Sequence, residues 1–159
     1  MRKRIRSAAV SFAFVSTAAL AQQPPAGPTA ADAIKARQGL MQIQKFSLTA
    51  VNSAVKDGGS VTDAAVQGAE NLQATADMVP MVFGLVKDSG LDKHQGQTKA
   101  KTEIWKNDAE FKEAVMAFKR DTEKLASAAK SKDANAVRDQ VKAVGGACNS
   151  CHKKFRAEK

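Results

Sequence analysis

The sequence predicts an all-α protein, an antiparallel four-helix bundle with its reactive motif near the C-terminus. Three observations carry this. Apolar residues recur at intervals of three, four or seven in four segments, and no useful length of chain alternates as a strand would. Two connections between these segments are short and one is long, which suits neighbouring helices that run antiparallel. The chain holds only seven Phe, one Trp and no Tyr, so four such helices would be poorly filled by their own side chains. A large apolar body is needed between them.

The N-terminus has another purpose. Arg2, Lys3, Arg4 and Arg6 precede an uncharged run from Ser7 to Leu20 that ends in Ala19-Leu20-Ala21. A basic start, a short apolar run and a small-residue cleavage site make residues 1–21 a secretory signal peptide. A bilayer span needs about 20 apolar residues, so cleavage after Ala21 is expected rather than anchoring. Removing it takes away four of the 25 basic residues and lowers the formal charge of +9 by four. The style of the signal is bacterial, which places the mature protein in the periplasm, without stable membrane insertion. Its remaining positive balance favours acidic redox partners. Scattered basic residues, with no Lys- or Arg-rich run around the single Trp, argue against nucleic acid.

Residues 22–29 hold three of the four prolines and read as a disordered leader, with the folded domain spanning 30–159. The first helix is expected from about Ala31 to Lys56, with Ile34, Leu40, Met41, Leu48, Val51 and Val55 facing the core. Asp57-Gly58-Gly59 stops it. The second starts at Ser60 or Thr62 as N-cap and buries Val66, Ala69, Leu72, Ala76 and Val79, and Pro80 is expected to end or kink it. Leu85 to Lys101 is the long loop. A third helix begins near Thr102 or Asn107, with Trp105 at its entry and a stripe of Phe111, Val115, Phe118, Thr122, Leu125 and Ala129. Asp133 caps the fourth, whose stripe is Val137, Val141, Val144, Cys148, Cys151 and Phe155.

The last helix carries Cys148-Asn149-Ser150-Cys151-His152, a C-x-x-C-H pattern. That spacing tethers a c-type haem: two thiols add to the porphyrin vinyl groups, and the adjacent His reaches the iron as proximal ligand. Zinc would want two more Cys or His nearby, and the only other His is His94. Thiol exchange would place C-x-x-C at the start of a helix after a strand, not near the end of a helical segment. Both cysteines of an exported chain lie in the motif, and covalent attachment of one haem c is what claims them. Such a body also supplies the missing core. No Ser/His/Asp, Cys/His or paired-carboxylate arrangement is present, so no enzyme is expected.

A haem motif on the last helix of a four-helix bundle resembles the class II c-type cytochromes, meaning cytochrome c′ and its low-spin relatives. Three stretches carry the resemblance. Ala33 to Met41, with its Arg37-Gln38 pair, is similar to the family's first-helix signature. Thr98 to Trp105 is similar to the entry into its third helix, and Gly145 to Arg156 to its attachment site. The resemblance implies thioether anchors at Cys148 and Cys151 and His152 as proximal ligand. It implies Arg37 and Gln38 at the haem propionates, with Thr98, Lys99 and Lys101 approaching from the loop. Arg156, one helical turn past His152, would act on that ligand's hydrogen bonding, and Phe83 would pack on the haem. Met41 falls where the family places the residue facing the sixth iron position. In low-spin members a Met there resembles a second axial ligand. In cytochrome c′ proper the position is an apolar lid over five-coordinate iron. Spacing leaves both open, and with them two functions: electron transfer, or the alternative of binding nitric oxide or carbon monoxide. Pairing into a homodimer is a further implication of the resemblance.

Overall fold

The computed structural model describes residues 27–158. The expected signal peptide and residues 22–26 of the leader lie outside these. Five helices follow in order: α1 (Ala30–Val55), α2 (Asp63–Gly84), a single turn α3 (Glu103–Lys106), α4 (Asp108–Lys130) and α5 (Ala134–Phe155). The long ones, α1, α2, α4 and α5, are the four of the bundle.

Local chemistry sets the helix ends. Thr29 caps α1 in a reciprocal capping box with Asp32, and Thr62, not Ser60, caps α2. Asp133 accepts hydrogen bonds from the amides of Asn135 and Ala136, both at 3.0 Å, at the start of α5. After α1 the chain turns with Asp57 and Gly58 at positive φ (51° and 82°), conformations that Asp tolerates and Gly favours. At Asn107 the third helical segment breaks, so both starts read from the sequence exist: α3 follows Thr102 and α4 follows Asn107.

Of the two outcomes expected at Pro80, the ending of α2 does not occur. Pro80 lies inside α2, and the helix continues to Gly84. The ring lies on the exposed side, and its missing N–H removes only one backbone bond from a helix otherwise held by its buried face.

The helices close a ring in which α1 packs on α2, α2 on α4, α4 on α5 and α5 on α1, the last contact being the sparsest. Pairing is antiparallel. Gln44 of α1 reaches Thr75 of α2 while Ser47 lies against Gly68, and Lys119 and Lys130 of α4 pair with Asp77 and Glu70 of α2. A Cβ on Gly68 would stand 3.0 Å from the Ser47 carbonyl oxygen, so α1 and α2 come close there because Gly68 has none. All six α4 stripe residues are buried. In α1 the stripe has the expected period but other members: Arg37, Gln44 and Ser47 are buried, whereas Met41 and Leu48 are half-buried. In α2, Val66 is half-buried, and Ala65, Thr75 and Val82 join the buried face.

The connection between α2 and α3 spans Leu85 to Thr102. Its end is tied to the C-terminal tail: Ala100 forms an antiparallel bridge with Arg156, the Lys101 amide donates to the Phe155 carbonyl (2.9 Å), and the Ala157 amide to that of Lys99 (2.8 Å).

Candidate functional site

Between α1, α2, α4 and α5 lies a half-open cavity of about 660 Å³. That falls within the range of about 300–1,000 Å³ typical of small-molecule and cofactor sites. From α5 it is bordered by Cys148, Cys151, His152 and Phe155, from α4 by Phe111, Val115 and Phe118, and from α2 by Val79 and Phe83. From α1 come Arg37, Gln38, Met41 and Gln44, and from the loop and tail Thr98, Lys99 and Arg156. Ten of the eleven site residues named from the sequence therefore border one space. Lys101 does not border it.

The two thiols and His152 are half-buried on adjacent turns of α5. Burial pushes both thiols up, that of Cys151 to about 11 with a further push from Cys148. The motif also lies in the last turns of its helix, where the dipole disfavours a thiolate. Exchange chemistry needs the opposite, a thiol lowered towards neutrality. His152 is pushed down, first by burial and then by the positive charge of Arg156, so its imidazole is neutral at neutral pH, as a metal ligand must be. His94 stays in the loop with Nε2 3.1 Å from the Asp88 carbonyl oxygen. Among the described residues no group of three His, Cys, Asp or Glu is placed to hold a metal ion.

Arg37 is only 3% exposed. Its guanidinium donates to the Ser89 hydroxyl (2.6 Å) and the Ser89 carbonyl (2.7 Å), and lies 5.3 Å from the Phe83 ring centre and 5.5 Å from that of Trp105. Trp105 in turn donates its indole N–H to the Phe83 carbonyl at 2.9 Å. Gly90 completes this cluster, since a Cβ there would meet the Trp105 ring at 2.9 Å. Neither Ser89 nor this cluster is visible in the spacing of the sequence. Gln38 is exposed and donates to the Gln97 carbonyl (2.8 Å). Thr98 is buried, with its hydroxyl accepting from the Ala100 amide (3.2 Å). Arg156 is the exposed residue after α5, in extended conformation rather than a further helical turn, and its amide donates to the His152 carbonyl (2.9 Å).

The residues fit a haem. The cavity has the size, its walls are mostly apolar, thiols and a neutral imidazole share one wall, and a buried cation without a carboxylate partner borders the space.

Comparison with known proteins agrees. The family model described as Cytochrome C′ matches residues 32–156. Cytochrome c′ of Rubrivivax gelatinosus is 36% identical over 128 residues, covering 79% of this chain and 94% of that protein. A solved cytochrome c′ described by its ligand-controlled dimer dissociation superposes with a TM-score of 0.74 at 25% identity, covering 84% of this chain and all of that one. Cytochrome c′ of Alcaligenes xylosoxidans has been seen with nitric oxide in one variant (TM-score 0.69, 26% identity, 82% of this chain and 98% of that). Another of its variants holds carbon monoxide (TM-score 0.70, 25% identity, 84% and 100%). With its helical ring, its C-terminal C-x-x-C-H and a family match over nearly all the described residues, the chain belongs to the cytochrome c′ family of c-type haem proteins.

Proposed function

We propose that the chain holds one haem c through Cys148 and Cys151, with His152 as proximal ligand, and serves as a periplasmic electron carrier. The observation that carries this reading is Met41, which borders the cavity from α1 while His152 borders it from α5. When bound, the haem supplies an iron that gains and loses one electron. The chain's own residues do the rest. His152 would hold the iron through its neutral nitrogen, and the Met41 thioether would offer a second ligand of the kind that favours reduced iron. Phe111, Phe118 and Val115 keep water from the buried side. Arg37 uses two of its five N–H donors on Ser89, and the others suit a propionate, as does Gln38. Lys99 and Arg156 are exposed at the rim, where acidic partner proteins would be steered. With His152 on the iron, acid–base groups are few, and the protein is a carrier rather than an enzyme. Residues 1–21 direct export; among the described residues no helix is long and apolar enough to cross a membrane.

The nitric oxide and carbon monoxide complexes of similar proteins favour a second reading, a five-coordinate haem with Met41 as lid. Absorption spectra of the ferric and ferrous protein separate the two. A low-spin spectrum with a thioether–iron charge-transfer band, lost in Met41→Ala, is the expected result for the carrier. A high-spin ferrous spectrum that shifts under carbon monoxide would remove Met41 as ligand and leave the gas reading.

A homodimer fits the outer faces of α1 and α2, where Ile43, Phe46, Met78 and Met81 are between 43% and 78% exposed. Large apolar side chains left in water on adjacent helices suit a self-complementary interface. Phe46→Glu is expected to shift sedimentation from dimer to monomer. A wild-type protein that sediments as a monomer at all concentrations would refute the interface.

A further inference from the structure

The contact between α1 and α5 is the sparsest in the ring, yet a hydrogen-bonded route joins the two helices through the connection between α2 and α3. On the α1 side Arg37 holds the Ser89 hydroxyl and carbonyl, and Gln38 holds the Gln97 carbonyl. The two ends of this segment are joined to each other, because the Leu91 amide donates to the Ala100 carbonyl at 2.8 Å. On the α5 side the Lys101 amide donates to the Phe155 carbonyl and the Ala157 amide to that of Lys99, either side of the bridge between Ala100 and Arg156. The Arg156 amide then donates back to the His152 carbonyl at 2.9 Å. His152 stands in the last turn of α5, where carbonyls have no partner within the helix and must find one outside it. Besides this tie, that turn is held by Phe155 packing edge-on against Phe111 of α4, with ring centres 5.3 Å apart.

We infer that the segment from Ser89 to Lys101 is a strap from α1 to the end of α5, and that Lys101 and Ala157, through their backbone amides, are positioning residues for His152. This rests on the reading of His152 as proximal ligand. Groups that orient a metal ligand usually bond its ring. Here the strap acts on the backbone instead, fixing the turn that carries the imidazole relative to the two anchors, Cys148 and Cys151, on the same helix. Because the bonds use main-chain groups, no residue type in the sequence marks them. A carrier gains from the arrangement: a ligand that keeps its place in both oxidation states leaves less structure to rearrange at each electron transfer.

The test uses the holoprotein and its Ala157→Pro variant, which lacks one amide of the tie. Arg156 already has φ −115° and ψ 131°, the conformation favoured before a proline, so the change asks nothing of that residue. Ala157→Ser keeps the amide and is the control. A chain ending at Arg156 lacks the same amide and serves if the proline variant does not fold. Hydrogen exchange at the Lys101 amide and the electron paramagnetic resonance spectrum of the ferric protein are measured. Exchange is expected to rise about fivefold, the weight of one hydrogen bond. The resonance lines should broaden as the imidazole takes up a spread of orientations, and Ala157→Ser should match the wild type in both. Faster exchange with unchanged lines would make the tie purely structural and overturn the positioning role. Unchanged exchange would overturn the strap itself. Wild-type protein with isotopically labelled histidine that shows no histidine nitrogen coupled to the iron would instead overturn His152 as ligand, and the inference with it.

Discussion

A Cys148→Ser/Cys151→Ser variant is expected to carry no covalent haem and to melt roughly 10–20 °C below the wild-type holoprotein. The first half follows from the chemistry of the motif. A thiol adds to a vinyl group and a serine hydroxyl does not, so a denaturing gel stained for haem should show none. Mass spectrometry should find the bare chain. The second half follows from the core. Four of the five Phe among the described residues, Phe83, Phe111, Phe118 and Phe155, border the cavity, and the fifth, Phe46, is 78% exposed and fills nothing. Without its cofactor the bundle has a half-open space of about 660 Å³ that its own side chains do not occupy. A ligand that binds only the folded state at a thousand times its dissociation constant adds about 4 kcal/mol, and tethering prevents its loss on dilution. For a domain of this size that energy corresponds to the stated range of melting temperature. Single replacements should keep one thioether and show an intermediate loss. Haem that stays attached in the double variant would defeat the assignment of both anchors.

How much of this could be read from the sequence depends on whether a feature is local. In α4 every buried position is apolar or a lone Thr, so period and identity coincide and the whole stripe could be read in advance. In α1 the period was legible but the identities misled, because Arg37, Gln44 and Ser47 are buried and a search for apolar residues passes over them. Arg37 and Gln44 are tolerated inside because each finds a partner on another segment, 52 and 31 residues away. No local pattern records such a distance. The haem motif is the reverse case. Two thiols and an imidazole within five residues are fixed by covalent geometry, so their spacing alone reports the chemistry. The loop after α2 shows the limit most clearly. Its boundaries follow from Gly and polar residues, but nothing in its composition says that Ser89 is fully buried and serves as an anchor.

That anchor yields the second large effect. Arg37→Leu is expected to cost about 3 kcal/mol or more of holoprotein stability and to loosen the loop from Ser89 to Lys101. Removing the guanidinium strips the buried Ser89 hydroxyl and carbonyl of a charged donor, and an unsatisfied buried acceptor costs about 1–3 kcal/mol. The packing of the cation between Phe83 and Trp105 is lost as well, at about 0.5–2 kcal/mol for each ring. Arg37→Lys should recover little, since a compact ammonium cannot reach two oxygens in parallel and stack on two rings. Burial lowers the tendency of Arg37 to hold its proton, but from so high a starting value that it stays charged at neutral pH. Stability is read by denaturant unfolding, and the loop by hydrogen exchange at the amides of Leu91 and His94, which donate to the Ala100 and Gly90 carbonyls. Ser89→Ala should lose part of the same energy, because its carbonyl remains. If Arg37 and Ser89 act as one latch, the double variant falls short of the sum of the singles by about 1 kcal/mol or more, as expected of residues in direct contact. Losses that add independently would mean that Arg37 stabilises the protein through the haem propionates and not through the loop. The exchange rates would then change only when the haem does.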